Sequence, residues 1–239
     1  MNRRLLVCIV ITLSILNLAR SSSVSANPFG WFDANINIIV FSHFIKTMSM
    51  FNDYFKLGID HILDPNGYDH ILFVTTLCAL YRPEQWRKLV ILVTAFTLGH
   101  SLTLALSGLD MVSVNPVLIE RLIPITIILT GIFNIYVISK NNENDRKVMF
   151  NYIISLGFGL IHGLGFSNYF KAILGNEESI VKPLFAFNIG VEVGQIVIVA
   201  LVIVLAYLLL NVFRLQKKYW TITISLLAIL VAGYLLAQR

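Results

Sequence analysis

Charge is scarce in this chain of 239 residues: Asp, Glu, Lys and Arg make up only 13% of it. A soluble domain carries about 25%. Hydrophobic residues make up 57%, and the mean hydropathy is +0.78. These values exclude an ordinary soluble domain and leave a polytopic membrane protein. Cysteine is scarcer still, with only Cys8 and Cys78. Loss of Cys8 with an N-terminal leader would rule out an internal disulfide in the mature chain, and a lone thiol makes a thiolate metal site a poor reading. The formal net charge of +5 is scattered over segment ends. No basic stripe with interleaved aromatics is present, so nucleic acid is not an expected partner. There is no Walker motif either. Gly157-Phe158-Gly159 lies inside an apolar run with no strand before it, so it is not a nucleotide fingerprint.

What the chain does have is long apolar runs. Residues 1–26 read as a cleaved signal peptide: Asn2-Arg3-Arg4 is basic, Leu5 to Leu18 is apolar, and Val24-Ser25-Ala26 offers small residues for cleavage. An uncleaved anchor helix is the alternative. Residues 27–56 mix Phe, Trp and Ile with Asp, Asn, His and Lys, as an interfacial segment does. Residues 57–239 form the transmembrane domain. Six spans are expected in it, at about 67–81, 88–109, 117–139, 148–170, 183–210 and 219–236. The first is short, and the turn signal Asp64-Pro65-Asn66-Gly67 precedes it, with a helical turn at 55–63 before that. The fold class is therefore an all-α membrane protein, a bundle of about six transmembrane helices after a cleaved signal peptide. Basic residues cluster in the loops after spans one (Arg82, Arg87, Lys88), three (Lys140, Arg146, Lys147) and five (Arg214, Lys217, Lys218). The positive-inside rule puts those loops in the cytoplasm and both mature termini in the periplasm. The expected location is a bacterial inner membrane.

The few polar groups inside these runs share a depth. His70, His100, His162 and Glu192 fall on four different spans, all toward the outer side. Asp69 adjoins His70, His61 falls before the turn at the membrane interface, where solvation is the competing reading, Glu120 opens span three, and Asn188 and Gln195 stand about one turn either side of Glu192. Ionisable groups at membrane depth are expensive and mark binding sites or pathways. Imidazole and carboxylate without thiolate suit a reversibly held divalent metal or a catalytic one with an open position. For any single histidine, packing is the competing reading, as helix capping is for Asp69 and dipole-favoured solvation for Glu120. The inner halves of spans two, four and five are nearly all aliphatic.

Five ordered motifs carry a resemblance. Gly67-Tyr68-Asp69-His70-Ile71-Leu72-Phe73, Thr94 to Leu104 around Gly99-His100-Ser101, Glu120-Arg121-Leu122-Ile123, Gly159 to Phe166 around His162, and Phe187 to Gln195 around Glu192 resemble the signatures of HupE/UreJ membrane proteins over about residues 57–200. The resemblance implies uptake of nickel or cobalt, with zinc as another candidate ion, beside a nickel-enzyme maturation system for hydrogenase or urease. It implies Asp69 and His70 at the outer mouth, and His100, His162 and Glu192 within, with Asn188 and Gln195 as neutral ligands. One branch carries a His-Pro motif before the Asp-His signature. Asp60-His61-Ile62 and an inserted Asp64-Pro65 stand there in this chain, which leaves the metal preference open. The expected function is a divalent-metal permease. An intramembrane metal-dependent hydrolase and a metal-loading accessory protein are the alternatives.

Overall fold

The computed structural model describes residues 30–65, 67–140, 145–175 and 179–239. The expected signal peptide lies outside them. The described chain is helical: α1 Gly30–Leu63, α2 Asp69–Cys78, α3 Trp86–Gly108, α4 Pro116–Ser139, α5 Asp145–Leu174, α6 Val181–Tyr207 and α7 Lys217–Gln238. Two compact units divide it, Met1–Met48 and Ser49–Arg239. In the first, the described side chains of Val40, Phe41, Phe44 and Met48 are exposed. Everything below concerns the second unit.

Five helices there are long and apolar enough to cross a membrane. Their bounds fall within a few residues of the expected spans. The remaining expected span, the first, does not form a helix of that length. Residues 67–81 yield only the ten-residue α2, about 15 Å long. The reason is local. Pro65 is a poor helix continuer and Asp64 sits beside it, so α1 stops at Leu63. The end of α1 is buried at Tyr54, Gly58 and Ile62, within the bundle.

Side-chain contacts give every helix a direction. Arg239 donates to the Glu120 carbonyl at 2.8 Å, while Gly131 faces Ser225 and Ile229, so α4 and α7 are antiparallel. Thr126 meets His162 and Ile123 meets Gly165, so α5 opposes α4. Leu92 pairs with Ser155, and Gly99 with Leu156 and Leu160, so α3 runs with α5. Tyr54 reaches Ile173 and His61 stacks on Phe166, so α1 opposes α5. Phe55 faces Gly190 and Ile62 faces Gly194, so α6 runs with α1. Asp69 lies near Arg239, Thr76 accepts from Asn134 and Ala79 accepts from Thr221, so α2 runs with α4. Helices α1 and α2 thus point the same way. They form one traverse broken at Asp64, and the bundle is crossed six times. One end carries Asp110, Glu120 and Lys171; the other carries Arg82, Glu84 and Lys88.

Local chemistry sets the ends. Asn115 caps α4 by accepting from the Val117 amide at 3.0 Å, with Pro116 in the first turn. At the Glu120 end, Lys171 bridges Asp110 at 2.6 Å. The Arg82 half is less aliphatic than the sequence suggests. Buried Asn134 donates to the Thr76 carbonyl at 2.7 Å, Asn151 to the Tyr81 hydroxyl at 2.9 Å and Ser155 to the Leu92 carbonyl at 2.8 Å. These groups bind backbone or one another, so they act as glue between helices. Asn134→Leu is expected to destabilise the detergent-solubilised protein by about 0.5–1.5 kcal/mol, because it removes a buried hydrogen bond between helices and leaves the Thr76 carbonyl only the 3.3 Å bond from the Ala79 amide. A thermal melt checks this; an unchanged midpoint would remove the role assigned to Asn134.

Candidate metal centre

Four histidines meet at the break in the first traverse. His61 lies in the last turn of α1, His70 in the first turn of α2, His100 on α3 and His162 on α5. The ring centroids of His61 and His70 are 4.6 Å apart, those of His61 and His100 5.7 Å, and those of His70 and His162 5.1 Å. One nitrogen each of His61, His70 and His100 can be chosen so that all lie within 4.8 Å of one another. His70, His100 and His162 are fully buried or nearly so, at 5%, 0% and 1% exposure. The break lets one traverse present two imidazoles, one from each side of the turn.

Aromatic rings wall the cluster. His100 lies between Phe96 and Phe187, with centroids at 6.1 and 6.2 Å. His61 packs on Phe166 at 3.9 Å, and His162 on Phe73 at 5.2 Å. Water is largely excluded by such walls, so polar atoms there need partners from the protein or a ligand. Yet both ring nitrogens of His100, Nε2 of His61 and His70, and Nδ1 of His162 have no hydrogen-bond partner. Each buried orphan costs about 1–3 kcal/mol. A set of convergent imidazole lone pairs fits a borderline or soft divalent ion.

Asp69 stands behind His70. Its Oδ1 lies 3.2 Å from His70 Nδ1 and accepts from the His70 amide at 2.9 Å. That contact assigns the proton to Nδ1 and leaves Nε2 with a lone pair turned elsewhere, the carboxylate–histidine arrangement of many metal sites. Arg239 approaches the other Asp69 oxygen at 3.7 Å. His162 Nε2 lies 3.3 Å from the Thr126 hydroxyl, which leaves Nδ1 as its free face.

Among the described residues no carboxylate joins the three-histidine group. Glu192 Oε1 accepts from Thr94 at 2.5 Å, and Gln195 Oε1 accepts from Thr97 at 2.8 Å. Thr94 lies on α3 about 9 Å from His100, toward the Arg82 end. Asn188 Oδ1 is buried without a partner. Glu120 is exposed at the start of α4 and lends its carbonyl to Arg239. Sequence reading missed Thr94, Thr97, Thr126 and Arg239. Threonine is common on membrane helices, and an arginine at a chain end carries no positional signal.

A cavity of about 540 Å³ opens beside the cluster, lined by Leu57, Asp60, His61, Asp64, Phe166 and Tyr169. Asp60 and Asp64 are exposed. Two carboxylates and an imidazole line it, a donor set that suits a cation.

Residues 40–239 match the family described as HupE / UreJ protein. The chain belongs to the HupE/UreJ family. No curated protein is detectably similar to it, and no solved structure is. The matched region contains the four clustered histidines, Asp69 and Glu192 of this HupE/UreJ protein.

Proposed function

We propose that this protein is a permease that takes up a divalent transition-metal ion, nickel or cobalt, across a bacterial cytoplasmic membrane. The convergence of His61, His70 and His100 within 4.8 Å carries the reading. The ion is cargo. Asp60 and Asp64 gather it at the cavity rim, the three imidazoles take it from water, His162 adjoins as a fourth donor, and Asp69 orients His70. Entry from the periplasm is supported by the charge pattern: Arg82, Arg87, Lys88, Lys140, Lys217 and Lys218 share the opposite end. Both mature termini then lie in the periplasm. Delivery would serve the maturation of a nickel enzyme.

Cargo binding is favoured over hydrolysis by where the carboxylates are used. A metal hydrolase needs a carboxylate free to activate water beside the ion. Here Asp69 is held against His70, Glu192 Oε1 accepts from Thr94 about 9 Å along α3 from His100, and neither Asp60 nor Asp64 joins the three-histidine group.

The test is ⁶³Ni²⁺ accumulation in cells expressing wild type or His100→Ala. Uptake is expected to fall to the background of cells lacking the protein. Full uptake by a correctly inserted variant would overturn the permease reading. Stoichiometric, tightly held zinc in the purified protein would instead point to the hydrolase.

A further inference from the structure

Two tight glycine crossings are copies of each other. On α3 the sequence is Ala95-Phe96-Thr97-Leu98-Gly99; on α6 it is Ala186-Phe187-Asn188-Ile189-Gly190. On α1 it is Gly58-Ile59-Asp60-His61; on α5 it is Gly159-Leu160-Ile161-His162. The offsets are 187 − 96 = 91 for the first pair and 159 − 58 = 101 for the second.

The contacts repeat with the sequence. A methyl added at Gly58 would strike the Phe187 carbonyl oxygen and the Val191 amide nitrogen; one at Gly159 would strike those of Phe96 and His100. A methyl at Gly190 would strike the Phe55 carbonyl; one at Gly99 would strike that of Leu156. Gly194 faces Ile62, and Gly163 faces Thr103. Every partner obeys the same offsets: 191 − 100 = 91, 194 − 103 = 91, 156 − 55 = 101 and 163 − 62 = 101. The aromatic walls follow suit. His61 lies 5.8 Å from Phe187, and His162 lies 5.1 Å from Phe96.

Exchanging α1 with α5 and α3 with α6 therefore maps each crossing onto the other. Because α1 opposes α5, the exchange also swaps the two ends of the bundle. Each half has three traverses: α1/α2, α3 and α4, then α5, α6 and α7. Inverted halves of this kind place a transported ion at their interface.

We propose that the bundle is an inverted repeat whose two-fold axis passes through the histidine cluster, and that it exposes the cluster alternately to its two ends by exchanging the conformations of the halves. This rests on the permease reading for its purpose, but not for its geometry. In the present state the 540 Å³ cavity opens beside Leu57 and Asp60. Their mates under the exchange are Phe158 and Ile161, since 57 + 101 = 158 and 60 + 101 = 161. Both are half-buried, and Phe158 packs on Phe73 with centroids 5.8 Å apart. The second state opens a matching cavity beside Phe158 and Ile161, toward the Arg82 end. The halves are not identical: His100 maps onto Val191 and Asp60 onto Ile161, and α1/α2 is broken beside His61, whereas α5 is continuous past His162.

The experiment is sided labelling with a membrane-impermeant maleimide in vesicles, without added metal. The background is Cys8→Ser, Cys78→Ser. Leu57→Cys and Asp60→Cys are expected to react from the Glu120 side, which also shows that the protein is folded. Phe158→Cys and Ile161→Cys are expected to react from the Arg82 side. In the double variant Leu57→Cys, Phe158→Cys, a bulky adduct at position 57 is expected to cut labelling at 158 several-fold. Inertness of both second-half cysteines from the Arg82 side, beside reactive first-half ones, would overturn the proposal and make the cavity one-ended. Loss of ⁶³Ni²⁺ uptake plays no part in this readout, so each reading can fail without the other.

Discussion

His100→Ala is expected to weaken Ni²⁺ binding to the purified protein by at least about 100-fold. Replacing a group that merely orients a ligand already costs about 10–100-fold, and His100 is one of the three imidazoles that converge. It also has no competing role, since neither ring nitrogen has a protein partner. His61→Ala and His70→Ala should match it. His162→Ala should cost less, because its Nε2 is engaged by Thr126 and it stands outside the closest trio. Asp69→Asn should fall in the 10–100-fold range, since the amide cannot offer Nδ1 a full charge. Glu120→Gln should bind as wild type. Titration calorimetry in detergent orders these variants. Should Glu120→Gln fall as far as His100→Ala, the site would lie elsewhere. Should the three histidines differ widely, the trio would not act as one site.

Much of this arrangement is legible in the sequence, and the illegible part has definite causes. Span count and bounds follow from apolar runs, because a bilayer fixes helix length. The break before His70 follows from Asp64-Pro65-Asn66-Gly67. What that signal does not say is that α1 re-enters the bundle and brings His61 level with His70. A turn marks a stop, not the direction taken afterwards. The layer of His70, His100 and His162 is visible as a depth coincidence, yet Glu192, expected at the same depth, meets Thr94 about 9 Å nearer the Arg82 end than His100. Depth counted from loop ends is coarse; which groups meet needs packing. Asp69 is adjacent to His70 in sequence, and only the 3.2 Å contact distinguishes orienting the histidine from capturing the ion. The repeat is carried by short stretches, Ala95–Gly99 with Ala186–Gly190 and Gly58–His61 with Gly159–His162, too brief to stand out as a period. The related helices are α3 with α6 and α1 with α5, in halves that run in opposite directions.

The glycine crossings yield the largest effect on the fold. Gly159→Ala is expected to destabilise the protein by about 2–3 kcal/mol or more, the upper range for overpacking a tight interior. The added methyl would come within 2.9 Å of the Phe96 carbonyl carbon and 3.1 Å of the His100 amide nitrogen. Those are backbone atoms of a neighbouring helix and have no rotamer to escape into, so α3 and α5 must separate. His100 and His162 ride on those helices, so Ni²⁺ binding should fall with stability. Two residues earlier, a methyl at Gly157 would meet nothing within 4 Å. Gly157→Ala should therefore be neutral or slightly stabilising, since alanine favours helix over glycine by about 0.5–1 kcal/mol. If the halves are equivalent, Gly58→Ala must imitate Gly159→Ala, because it meets the same backbone atoms of Phe187 and Val191. Cys78 is buried, so in a Cys8→Ser background a thiol-reactive dye reports unfolding without a new label. Coincident melting of Gly157→Ala and Gly159→Ala would show that the helices do not touch where described. A severe Gly159→Ala beside a harmless Gly58→Ala would leave the α3–α5 crossing standing but break its equivalence to α1–α6, and with it the symmetry that lets one cluster serve both faces of the membrane.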